Sequence, residues 1–186
     1  MKLNTYLSYT IDEHPNKEKC FDHIRDNWHD LGEHVIQDTI ESLKGFSDHY
    51  NLDLHYSISI FPDRGEYIKA KINDEDIASL TGPRLFKYLI NNHSTIGNPF
   101  NFNKPHAVLA GNCPFTGVCY DETLLDNIRA FMKKPDSRTF QELINDCTDQ
   151  LLTEIHNEGD YIYSDIGLLE TCQANEYQFT ENGQIV

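Results

Sequence analysis

Leu52-Asp53-Leu54-His55-Tyr56-Ser57-Ile58-Ser59-Ile60-Phe61-Pro62-Asp63-Arg64-Gly65-Glu66-Tyr67-Ile68-Lys69-Ala70-Lys71-Ile72 is the stretch on which the fold turns. Leu52, Leu54, Tyr56, Ile58 and Ile60 alternate with Asp53, His55, Ser57 and Ser59, the period of two that buries one face of a strand. Pro62-Asp63-Arg64-Gly65 carries turn chemistry, and 66–72 reads as the returning strand. Upstream, Phe21, Ile24, Trp28, Leu31, Val35, Thr39, Leu43, Phe46 and Tyr50 recur every three or four residues, with Ile36 and Ile40 widening the face. That spacing predicts a long amphipathic helix over 18–50. Gly32 inside it costs about 1 kcal/mol relative to alanine and admits a kink or a break. A helix before a hairpin covers one face of the sheet. The expected fold is therefore α+β: a long N-terminal amphipathic helix packed on a small antiparallel sheet, with further helices and a C-terminal hairpin.

Downstream, 74–80 reads as a short helix, and Pro83 suits the first turn of another that runs to Asn91. Residues 92–117 are irregular and rich in Asn, Pro and Gly, with Phe100, Phe102 and Phe115 among them. Strands are expected within this middle stretch at 106–110 and just after it at 118–120. Leu124, Leu125, Ile128, Phe131 and Met132 form one helical face, stopped by Lys133, Lys134 and Pro135. Thr139-Phe140-Gln141-Glu142 matches a capping box and opens a helix that carries Phe140, Leu143, Ile144, Cys147, Leu151 and Ile155 inward. Ser164 is placed to cap a last short helix containing Ile166, Leu168 and Leu169. Over 177–186, Asn182-Gly183 favours a type I′ turn and a closing hairpin. The whole of 1–186 reads as one domain, with sub-regions at 1–91, 92–120 and 121–186.

Of the 186 residues, 39% are hydrophobic and 24% charged, a balance that supports a folded core. No apolar run is long enough to span a bilayer, and Met1-Lys2-Leu3-Asn4-Thr5-Tyr6 lacks a signal-peptide core, so a cytoplasmic location is expected. Five scattered cysteines do not make a disulfide framework, and Cys20 and Cys147 fall at apolar-periodic positions. The charge is the unusual quantity, a net −15. Residues 1–60 hold 11 acidic and 5 basic groups, 61–135 hold 8 and 9, and 136–186 hold 11 against Arg138 alone. Such a surface repels nucleic acid and anionic membranes and is steered towards basic clefts.

The candidate contact residues follow from that charge. Asp22, Asp26, Asp30, Glu33 and Glu41 line one side of the first helix, and Glu142, Asp146 and Asp149 repeat the pattern on a later one. Like charges at this spacing weaken an isolated helix, so helix propensity does not explain them. Phe100 and Phe102, set between Pro99 and Lys104-Pro105, are candidate aromatic anchors. Asp30 with His34, and His93, His106, Cys113 and Cys119 around the long loop, make no closed metal-ligand set, and the histidines read as solvated. Neither GxSxG nor a phosphate-cradling glycine loop occurs. No catalytic residue, metal or other cofactor is expected.

On Asp26-Asn27-Trp28, on 52–72 with its Pro62-Asp63-Arg64-Gly65 turn, and on Asn175-Glu176-Tyr177-Gln178-Phe179-Thr180-Glu181-Asn182-Gly183, the chain resembles a group of small acidic proteins carried by bacteriophages and other mobile elements. It departs from them at the turn, where they carry a Gln-Gly-Asp-Gly type sequence. The group supplies no catalytic residues to carry over. The resemblance implies a mobile-element setting and an inhibitor of a host nucleic-acid-handling defence complex, of the anti-CRISPR or antirestriction kind. Such an inhibitor acts by DNA-mimic-like occupation of a basic cleft, and host-cell cytoplasm is its place of action. An antitoxin-like or adaptor protein that neutralises a basic partner is the alternative. A small metal- or cysteine-dependent hydrolase built around the middle loop, with Cys113, Cys119 and His106, is a third.

Overall fold

In chain order the elements are β1 (Tyr9–Thr10), α1 (Lys17–Asn27), α2 (Glu33–Tyr50), β2 (Leu52–Ser57), β3 (Tyr67–Ile72), α3 (Glu75–Ala78), α4 (Gly82–Asn92), α5 (Tyr120–Lys133), α6 (Phe140–Ile162), α7 (Asp165–Ala174) and β4 (Gln178–Phe179). They come from a computed structural model that describes residues 8–28, 31–60, 65–93, 113–117 and 120–186. The architecture is mixed helix and sheet, as the sequence pattern implies. β2 and β3 pair antiparallel with Leu52 opposite Ile72 and Tyr56 opposite Ile68. Along β3, Ile68, Ala70 and Ile72 are buried while Tyr67, Lys69 and Lys71 are exposed, which is the expected period of two. The turn at 62–64, the strand expected at 106–110 and the first two residues of the one expected at 118–120 lie outside the described residues. Tyr120 itself opens α5.

The long N-terminal helix does not form. α1 stops at Asn27, and Trp28 leaves the helical region at φ −113° and ψ 82° while its N–H still closes on Ile24 O. The Trp28 ring packs edge-on against Tyr177 at 5.0 Å, and its carbonyl accepts from Tyr163 Oη at 3.0 Å. Leaving the helix thus gives Trp28 partners for both its ring and its backbone. α2 begins at Glu33, directly after Gly32.

Among the described residues there are two small sheets rather than one, because β4 pairs antiparallel with β1. The C-terminal hairpin survives as a single bridge, Phe179 to Ile185. Thr180 N donates to Gln184 O and Gly183 N donates to Thr180 O, both at 2.8 Å. Gly183 alone in this loop takes a positive φ, +82°, so the loop is a three-residue turn closed by a left-handed glycine and not type I′. A Cβ on Gly183 would lie 2.8 Å from the carbonyl carbon and oxygen of Lys19.

The chain forms two compact units. The first joins Met1–His34 to Asn157–Val186. Its core is Ile11, Cys20, Phe21, Ile24, Leu168, Cys172 and Phe179, flanked by Trp28 and Tyr177. Ser164 caps α7 as expected, its Oγ accepting from Gly167 N at 3.1 Å. At the other end Glu176 N donates to Gln173 O and Tyr177 N to Cys172 O, a Schellman ending that holds Glu176 at φ +53°.

The second unit is Val35–His156. The buried faces of α5 (Leu124, Leu125, Ile128, Phe131) and α6 (Phe140, Leu143, Ile144, Cys147, Leu151, Ile155) match the faces read from the sequence. The capping box forms: Glu142 N donates to Thr139 Oγ1 at 3.1 Å and Thr139 N donates to Glu142 Oε2 at 2.7 Å. Residues 115–117 hang on the buried carboxylate of Asp121, whose Oδ2 accepts from Phe115 N and Thr116 N, each at 2.7 Å. Phe115 settles over Gly45 of α2, where a Cβ would come within 2.6 Å of its own Cβ. That contact accounts for a glycine in the middle of a helix, where alanine is favoured by about 1 kcal/mol.

Candidate functional site

The carboxylates expected to line two helical stripes are distributed over α1, α2 and α6 and put to different uses. Asp22 and Asp26 are exposed on α1, and Asp22 pairs with Arg25 at 3.4 Å. Glu33 opens α2 and Glu41 stands exposed further along it. Glu142 is held by the Thr139 cap, and those hydrogen bonds keep its carboxyl below the usual carboxylate range. Asp146 pairs with Arg138 at 2.6 Å. Asp26, Glu33, Glu41 and Asp149 make no side-chain hydrogen bond or ion pair among the described residues. Asp30, Phe100 and Phe102 lie outside the described residues.

A denser acidic feature, inside the stretch 136–186 that the charge count marks but on residues outside the two stripes, is the α6–α7 corner of the first unit. Residues 157–186 hold six carboxylates and no lysine or arginine. Four of them, Glu158, Asp160, Asp165 and Glu170, flank the chain as α6 ends and α7 begins. Within the corner two large apolar side chains face solvent, Tyr161 at 48% and Ile166 at 64% exposure. Tyr161 Oη donates to Glu170 Oε2 at 2.5 Å, and this bond pushes the phenol pKa up. Gly167 permits the tight corner, since a Cβ there would meet Tyr161 O at 2.2 Å. The cation at the corner is Arg25 of α1, which pairs with Asp165 and donates through Nε to Tyr163 O at 3.1 Å. Exposed apolar side chains rimmed by carboxylates that outnumber Arg25, the cation described at this corner, attract positive charge. The signal in the sequence is the set of acids Glu158, Asp160, Asp165 and Glu170 with no lysine or arginine among them, whereas the exposure of Tyr161 and Ile166 leaves no periodic trace.

Among the described residues of the second unit are two partly buried pairs that involve histidine. His93 is buried and shares a 3.1 Å hydrogen bond between its Nδ1 and His49 Nε2. The rings of Tyr50 and Tyr88 enclose it at 4.7 and 5.5 Å. This corrects the expectation that the histidines are solvated. Burial, reinforced by His49, pushes the His93 pKa down to about 4. Glu66 Oε2 meets His156 Nε2 at 2.5 Å, while Glu66 Oε1 is buried with no hydrogen-bond partner among the described residues.

Among the cysteines, burial pushes the thiols of Cys20 and Cys147 up and that of Cys172 up to about 11. These three are protonated core residues, unsuited to nucleophilic attack. Cys119 and His106 lie outside the described residues. Among the described residues no group of three or more His, Cys, Asp or Glu side chains is placed to hold a metal ion. No helix among them is long and apolar enough to cross a membrane. Comparison with known families, with curated proteins and with solved structures found no match.

Proposed function

We propose that the protein binds a basic macromolecular partner through the acidic α6–α7 corner, with Tyr161 and Ile166 as its anchors. The finer reading is an inhibitor of a host nucleic-acid-handling defence complex, of the anti-CRISPR or antirestriction kind, lodged in a Lys/Arg-lined cleft. The observation that carries the proposal is the charge balance of the C-terminal third. Eleven acidic residues stand there against Arg138, and Arg138 is already engaged by Asp136 and Asp146.

Charge of this kind accelerates encounter with a basic surface, and a few desolvated anchors then set the dissociation rate. One carboxylate per helical turn, roughly every 6 Å, is sparser than the ~3.4 Å between phosphates on one DNA strand. An imitation of DNA on these elements therefore relies on its anchors as well as on charge.

The test is capture of partners from bacterial lysate at low and at moderate salt, with and without competing duplex DNA. Recovery of a basic nucleic-acid-binding protein that is lost on adding salt or DNA supports the inhibitor. Loss with salt but not with DNA moves the reading to an antitoxin-like neutraliser. Binding that does not respond to salt removes the electrostatic basis of the proposal.

A further inference from the structure

β3 lies at the edge of its two-stranded sheet, and an uncovered edge is a template for another strand. Part of it is covered by one side chain. Gln141 of α6 lays its carboxamide along the edge, with Nε2 donating to Ala70 O at 2.8 Å and Oε1 accepting from Ile72 N at 2.9 Å. These are bonds that the backbone of a neighbouring strand would make. Gln141 Nε2 also donates to Asn145 Oδ1 at 2.9 Å, which holds the carboxamide in place. At the other end of the strand His156 of α6 meets Glu66.

Between these two clasps the edge is open. Ala70 and Ile72 turn backbone groups away from β2, so by the period of two Ile68 does the same. The outward N–H and C=O of Ile68 have no partner among the described residues. The stretch from residue 66 to residue 70 spans ~13 Å, room for a few extended residues. A cleft of about 320 Å³ lies against it, between β3 and α6, with Ile68, Lys69 and Lys71 on one wall and Thr148 and Asp149 on the other.

Two cations, Lys69 and Lys71, face one carboxylate, Asp149, across the cleft, so the balance of charge favours an acidic occupant. Lys69 and Lys71 are exposed and make no ion pair among the described residues. On the β2 side they stand opposite His55 and Asp53, and Asp53 leans to His55 at 3.3 Å. A strand added to the outer edge would place alternate side chains beside Lys69 and Lys71 on the same face. A second copy of β3 there would set lysine against lysine, which is unfavourable.

We propose that this cleft takes a short extended peptide segment with acidic side chains at alternate positions, added to β3 through the backbone of Ile68. The probe is a short blocked peptide of alternating glutamate and threonine, with a lysine-for-glutamate version as its control. The readouts are amide exchange and amide chemical shifts of the full chain. Binding is expected to slow exchange of the Ile68 and Ala70 amides at least tenfold at saturation, with no such effect from the lysine peptide. Lys69→Gln/Lys71→Gln, which changes two exposed side chains, is expected to weaken binding about tenfold, the scale of two modest charge contacts. Absence of protection at Ile68, equal binding of the lysine peptide, an affinity untouched by the double substitution, or protection that grows with protein concentration alone would each overturn the proposal.

Discussion

Replacing His93 by phenylalanine keeps an aromatic ring in an aromatic site and removes a group that titrates. His93 is 8% exposed, lies against Tyr50 and Tyr88, and shares its Nδ1 with His49. Burial first, and His49 second, push its pKa down to about 4 from the ordinary 6.5. The folded state therefore disfavours the proton that the unfolded chain accepts. The stabilisation that follows is complete above pH 6.5 and is lost as the pH falls through the folded value. At 1.36 kcal/mol per pH unit the full effect is ~3 kcal/mol, of which about 2 kcal/mol is gone by pH 5. Protonation of carboxylates relieves self-repulsion in a chain of net charge −15 and works in the opposite direction. The informative quantity is thus the difference between wild type and His93→Phe. Urea unfolding of both proteins from pH 7.5 to pH 5 is the assay. Wild type is expected to lose about 2 kcal/mol more than the variant over that range. Parallel profiles would refute the claim that His93 is held neutral by burial.

Asp121→Ala leaves the amides of Phe115 and Thr116 without their acceptor and is expected to destabilise the second unit by about 3 kcal/mol, measured by urea unfolding. A loss below about 1 kcal/mol would mean that water replaces the carboxylate. Gly183→Ala combines a left-handed backbone with overlap on the Lys19 carbonyl, so a loss of about 2 kcal/mol or more is expected by thermal unfolding. Glu176→Gly acts the other way: glycine suits φ +53° at the end of α7, and a gain of up to about 1 kcal/mol is expected in the same assay.

What the sequence made legible was local. The alternation over 52–57 and 67–72, the Thr139–Glu142 box and the Ser164 cap each depend on residues a few positions apart, and each forms, although β2 ends at Ser57, short of the Ile58 and Ile60 read into it. What it concealed depends on distant partners. β1 is two residues long and pairs with β4 nearly the whole chain away, so it leaves no periodic trace. The apolar spacing over 18–50 runs through Trp28 without interruption, yet Trp28 turns out of the helix to meet Tyr177 and Tyr163. Spacing also placed Asp22, Asp26, Glu41, Glu142 and Asp149 on exposed faces but could not tell a free carboxylate from one in use. Glu142 is taken by its cap and Asp146 by Arg138, whereas Asp26 and Glu41 remain unengaged among the described residues. The acidic corner at Tyr161 and Ile166 was obscured because exposure of an apolar residue inside a helix cannot be read from period alone.

The central claim is that this corner is the contact surface. The measurement that meets it most directly is a quantitative capture from bacterial lysate with wild type and with Glu158→Gln/Asp160→Asn/Glu170→Gln. Glutamine at 170 retains an acceptor for Tyr161, and unfolding curves check that the fold is kept. The account predicts that basic proteins captured by wild type at low salt are lost from the variant. Capture of the same proteins in the same amounts by both would contradict it.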